Sequence, residues 1–192
     1  MNIPVIYGSV RRERRGIHGA RFVVSMLKDR GHEVPLIDPL EYPLPLLDLM
    51  YKEYDQGEAP EVMESLARIH RAADAFIFIT GEYNHGIPPA LKNQIDHFLE
   101  SWFWRPAGIA CYSAGPFGGV RAAMQMRCVL GEIGLVTVPS ILAMPRVGQS
   151  FADDGTPSEA GWERRAEKFL AEIEWYAEAL ATQRDKKGVP YS

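Results

Sequence analysis

The chain is poor in cysteine, with two in 192 residues, Cys111 and Cys128. Neither sits in a Cys-x-x-Cys pair or a Cys/His cluster. That excludes a disulfide scaffold and a zinc site, and two reduced thiols are expected. Long apolar runs are absent too. None approaches the ~20 residues that cross a bilayer. The N-terminus, Met1 to Val10, lacks the basic-then-apolar pattern of a secretory signal, and a cytoplasmic protein is expected. Basic charge is not in excess: 21 Lys and Arg stand against 25 Asp and Glu, a net charge of −4. Bulk nucleic-acid binding needs clustered positive charge, so none is expected. There is no internal repeat and no low-complexity block. The Gly-x-Gly-x-x-Gly dinucleotide fingerprint and the Gly-Lys-Ser/Thr ending of a triphosphate loop are both missing, which sets phosphoryl transfer aside.

What remains is an alternation of two periodicities. Short apolar runs at 3–7, 32–39, 75–80, 107–113 and 135–140 read as strands. Amphipathic stretches at 16–31, 60–75, 88–102, 118–134 and 158–183 read as helices, with Ser158 as the N-cap of the last. Five such alternations predict an α/β fold: a doubly wound, five-stranded parallel sheet with helices on both faces. Residues 1–183 form one domain in this reading, and 184–192 a loose polar tail. The Pro- and Leu-rich stretch 39–60 reads as an ordered surface loop with a short helical turn near Leu47.

In such sheets ligands bind beyond the C-terminal strand ends, so the loops after strands one, three and four are the ones to inspect. The first runs from Gly8 to Gly19 and carries Ser9 and four arginines. Free N–H groups at a helix start, a hydroxyl and guanidinium groups suit a phosphomonoester. Ser9 and Arg11 are the primary candidates, followed by Arg15, Gly16, Ile17 and His18. Arg12 and Arg14 read as solvated surface residues. The third-strand loop, GEYNHG, offers Glu82, Tyr83, Asn84 and His85. An aromatic among backbone amides suits a flat polar heterocycle. Glu82 is expected to fix the loop by accepting backbone hydrogen bonds. The fourth-strand loop brings Ser113, Gly115, Gly118 and Gly119, which allow close backbone approach.

Together these motifs resemble the NAD(P)H-dependent FMN reductase family, which has a flavodoxin-like fold and includes quinone, chromate and azo reductases. The carriers are GSVRRERRG, GEYNHGIPPALKNQIDHF and YSAGPFGGVRA, in the family's order, over about residues 3–145. The resemblance implies bound FMN, with the phosphate at the first loop and the isoalloxazine between the other two. It implies NADPH or NADH as co-substrate. It also implies a small acceptor (a quinone, free flavin, azo compound or metal oxyanion) reduced in a ping-pong cycle, and a homodimer or homotetramer. No side chain need act as acid or base, because the flavin does the chemistry. The rival reading is a flavodoxin-type electron carrier with no NAD(P)H turnover of its own. The cluster Trp102, Phe103 and Trp104 suits an interface or a core wall. One departure from the family is Gly81, where proline is usual; it implies a mobile loop or a backbone that proline forbids.

Overall fold

A computed structural model describes residues 1–191. Its strands are β1 (Val5–Tyr7), β2 (Leu36–Ile37), β3 (Phe76–Gly81), β4 (Pro106–Tyr112) and β5 (Val136–Met144). They form one parallel sheet in the order β2-β1-β3-β4-β5, the flavodoxin-like order. The helices are α1 (Gly16–Asp29), α2 (Glu61–Ala72), α3 (Pro89–Asp96), α4 (Val120–Glu132), α5 (Val147–Ser150) and α6 (Trp162–Lys187).

The central strands are buried on both sides, and their alternation sorts the core into two layers. Val5, Tyr7, Ile77, Ile79, Ala110 and Tyr112 face α1 and α6. Ile6, Phe76, Phe78, Ile109 and Cys111 face α2, α3 and α4. Gly108 lets α6 approach β4, since a Cβ there would lie 2.4 Å from Ile173. Among the described residues no helix is long and apolar enough to cross a membrane.

Several expectations need correction. β5 continues past Pro139 to Met144. Proline is tolerated because β5 is an edge strand with one side of its backbone unpaired. The third helix stops at Asp96 rather than 102. The Trp102 indole N–H reaches back to the carbonyls of Ile95 and Phe98 (3.2 and 2.8 Å), so a 3₁₀ turn at Glu100–Trp102 replaces the last helical turn. Ser158 is not an N-cap. Its hydroxyl donates to the Gln149 carbonyl at 2.6 Å, and α6 starts at Trp162 behind Gly161 (φ 102°).

The described part of the C-terminal segment packs on the fold. α6 runs through the expected boundary at 183 to Lys187. Arg184 then donates to the Trp104 carbonyl, and the Trp104 indole donates to the Tyr191 carbonyl, both at 2.8 Å. Tyr191 packs edge-on against Phe103 and Trp104. Trp102 itself lies fully inside the core. In the 39–60 loop the only helical turn is at Tyr51–Glu53, not Leu47. Tyr42, Leu44, Tyr51 and Tyr54 pack on the core while Leu46 points outward.

His70 is wholly buried among Phe76, Phe98 and Trp102, and neither ring nitrogen has a hydrogen-bond partner among the described residues. Burial, with a lesser contribution from Arg105, holds its pKa down at about 3. The folded imidazole stays neutral while the unfolded one takes a proton below about pH 6.5. Stability is therefore lost as pH falls from about 6.5 towards 3, by up to about 1.4 kcal/mol per pH unit. Urea unfolding between pH 6.5 and 4.5 should show a shallower pH slope for His70→Phe than for the wild type. Equal slopes would mean that His70 does not stay neutral in the fold.

Candidate active site

The loop after β1 is braced from below. Arg14 turns inward, pairs with Asp38 at the end of β2, and donates to the Ser9 carbonyl at 3.3 Å. Its guanidinium also lies over the Tyr7 ring. Arg14 is thus a structural brace and not the solvated residue expected from the sequence. Ser9 is buried, and its hydroxyl lies 2.8 Å from the Tyr83 hydroxyl and 3.4 Å from the Arg11 N–H. Its oxygen accepts from the Arg11 N–H, and either hydroxyl can donate in the bond it shares with Tyr83. Arg11 and Arg12 are both exposed, Arg11 on the rim of the cleft and Arg12 outside it.

Glu82 and Tyr83 follow β3. The Glu82 carboxylate accepts from the Arg121 guanidinium at 3.0 Å and from the Arg121 backbone N–H at 3.2 Å. Burial would raise its pKa, but these donors and the Ala122 N–H outweigh it and hold the group below the usual carboxylate range. Glu82 therefore fastens the loop to the start of α4, in line with the role expected for it. Tyr83 and Gly86 exchange backbone hydrogen bonds of 3.0 and 2.9 Å, closing a turn with Asn84 and His85 at φ 50° and 66°. Those two side chains are exposed at the turn's tip.

The loops after β4 and β5 are joined. Arg146 N–H donates to the Gly115 carbonyl at 3.0 Å, and Val147 N–H donates to the Ser113 carbonyl at 3.1 Å. Tyr112 forms the floor between all these loops. Its hydroxyl donates to Tyr7, whose own hydroxyl reaches the Arg14 carbonyl, both at 3.3 Å. A Cβ at Gly16 would meet the Tyr112 ring at 2.2 Å, and one at Gly81 would meet it at 2.9 Å. Gly81 in place of the family's proline therefore makes room for Tyr112. It needs no special backbone angle.

These elements enclose a cleft of about 330 Å³. Of the residues singled out in the sequence, Ser9, Arg11, Arg15, Glu82, Tyr83 and Ser113 line it. Gly115 borders it through the bond to Arg146. Gly16 and Ile17 are buried behind it. His18 faces an adjoining basin beside Asp153, at 3.4 Å. Gly118 and Gly119, at positive φ, pack against Ala143 and the Tyr112 backbone rather than the cleft. Sequence reading missed Tyr112, Ala114 and the wall Arg146–Gln149. The sequence pattern ends the fifth strand at 140, so Arg146 and Gly148, two and four residues beyond its end at Met144, do not read as a strand-end loop.

Gly81→Ala should destabilise the fold by about 1–3 kcal/mol through overpacking. The penalty should shrink in a Tyr112→Val background, measured by urea unfolding of the double-mutant cycle. An unchanged penalty would mean that the ring is not what the glycine accommodates.

Residues 1–149 match the family model described as NADPH-dependent FMN reductase. An NAD(P)H-dependent FMN reductase of Schizosaccharomyces pombe is 31% identical over 153 residues, covering 75% of this chain and 74% of that protein. A quinone reductase of Pseudomonas putida is 30% identical over 132 residues, 66% of this chain and 67% of the relative. Among solved structures, the flavoenzyme NAD(P)H:(acceptor) oxidoreductase FerB from Paracoccus denitrificans superposes with a TM-score of 0.71. It shares 23% identity over 94% of this chain and 97% of that one.

Proposed function

The chain belongs to the NADPH-dependent FMN reductase family and is an NAD(P)H-dependent flavin oxidoreductase; on that premise we propose that it reduces small flat acceptors, quinones first among them, in a ping-pong cycle. The observation that carries this reading is the convergence of Ser9, Arg11, Tyr83 and Ser113 on one cleft. The donor set fits FMN. Ser9 and Arg11 would hold the phosphate, through a hydroxyl and a guanidinium with no carboxylate partner among the described residues. Tyr83 and the turn it closes would bound the ring on one side. Ser113, Ala114 and Gly115 would approach the other edge. When bound, FMN supplies the hydride and electron chemistry.

The chain's own groups position and shield. The Glu82–Arg121 pair keeps the turn seated on α4, and Tyr112 keeps the floor closed. No side chain in the cleft needs to exchange a proton. The buried Cys111 thiol is pushed up to about 12, mainly by burial and further by Glu82, so it stays protonated and unreactive. Quinones as acceptors draw support from the relative in Pseudomonas putida. Flat molecules of this kind can follow the nicotinamide into the same cleft, which gives the two-step kinetics.

The purified protein should show a flavin absorption spectrum that bleaches on anaerobic addition of NADPH and returns with benzoquinone. Double-reciprocal plots at several quinone concentrations should be parallel, and intersecting lines would exclude the shared-cleft cycle. Arg11→Ala should weaken FMN binding by about tenfold or more, as expected for a lost charge-assisted hydrogen bond. Unchanged affinity would remove Arg11 from the phosphate site.

A further inference from the structure

The charged side chains of the cleft are not all accounted for by the flavin. Arg14 is neutralised by Asp38, and Glu82 by Arg121. Of the rest that line the cleft, Arg11, Arg15 and Arg146 are positive and Glu13 alone is negative. Three positive charges against one thus remain, in a chain whose net charge is −4.

The surplus is spread along the sheet edge. Ser9 follows β1, and Arg146 follows β5, three positions away in the sheet. At ~4.8 Å per strand the two strand ends lie roughly 14 Å apart. A single phosphomonoester seated on Ser9 therefore leaves the β5 end unfilled. Arg15 bridges to that end. Its guanidinium reaches the Gly148 carbonyl at 3.4 Å, and a Cβ at Gly148 would lie 2.8 Å from the Arg15 side chain. The absent side chain at 148 lets Arg15 lie across the loop that carries Arg146. Arg146 has left-handed backbone angles, φ 45° and ψ 43°, which disfavour a residue with a Cβ. The bonds to Gly115 and Ser113 hold it there. Its side chain is exposed and has no acceptor among the described residues.

We propose that Arg146 and Arg15 form a second anion subsite, which takes the 2′-phosphate of NADPH and makes the enzyme prefer NADPH over NADH. The inference rests on the reading of the cleft as the flavin and nicotinamide site. A phosphomonoester carries close to two charges near neutral pH. Two guanidinium forks suit its three oxygens, whereas each phosphate of the pyrophosphate carries one charge. NADH lacks the 2′-phosphate, so the subsite discriminates between the two coenzymes.

The test uses the flavin-loaded protein and two probes, 2′,5′-ADP and 5′-AMP, titrated calorimetrically. The wild type should bind 2′,5′-ADP at least about tenfold more tightly than 5′-AMP. That advantage should fall to about twofold or less in Arg146→Asn, because asparagine tolerates the left-handed backbone without the charge. Arg15→Gln should act in the same direction, and Arg146→Lys should recover part of the advantage. The ratio of kcat/KM for NADPH to that for NADH should fall about as far as the probe ratio. Equal affinity of the wild type for both probes would overturn the proposal. So would a proportional loss for both probes, which would assign Arg146 to the pyrophosphate. Loss of FMN in Arg146→Asn would assign it to the flavin phosphate instead, with the same result. A wild type that holds no flavin would fail the cleft reading itself. The two probes on that flavin-free protein would still decide whether the arginines read a 2′-phosphate.

Discussion

The Tyr112 ring stands where four elements meet. It ends β4, fills the space beside Gly16 at the start of α1, and fills the space beside Gly81 at the end of β3. Its backbone lies under Gly119, where a Cβ would come within 2.6 Å of the Tyr112 carbonyl oxygen and so prevent α4 from starting there. Its hydroxyl continues through Tyr7 to the Arg14 carbonyl. The loops after β1, β3 and β4 thus share one rigid floor. Their relative positions are set by close packing at a point where no atom can be added without displacement.

Electrostatics then divides the charged residues into two groups. Arg14 with Asp38 and Arg121 with Glu82 are partly buried pairs that fasten loops to the scaffold. Arg11, Arg15 and Arg146 have no acid partner among the described residues and line the cleft. The first group fixes geometry, and the second leaves a surplus of positive charge on the cleft. Each group depends on the other, since unpaired arginines on an unbraced loop would lose the entropy gained by preorganisation.

Much of this was legible in the sequence. The five apolar runs, the helices between them and the placing of Ser9 and Arg11 at a strand-end cleft all follow from local pattern. Glu82 could be read as a fastener because a carboxylate beside a turn seeks N–H donors. Other features were not legible because they depend on partners distant in sequence. Arg14 looks like Arg12 until Asp38, from the neighbouring strand, is placed beside it. Trp102 looks helical until its indole finds the Ile95 and Phe98 carbonyls. The terminal segment looks loose until Trp104 and Arg184 meet it.

Alternating hydrophobicity and turn chemistry determined the sheet, its helices and the ends of three of the loops that carry the site, because each is decided within a few neighbouring residues. Tertiary structure alone decided that Gly81 serves Tyr112, that Gly118 and Gly119 pack inward, and that the loop after β5 completes the cleft with Arg146. The physical reason is contact range. A side chain's steric and charged neighbours in a parallel sheet come from strands separated by a full crossover, and no local pattern records which of them will touch.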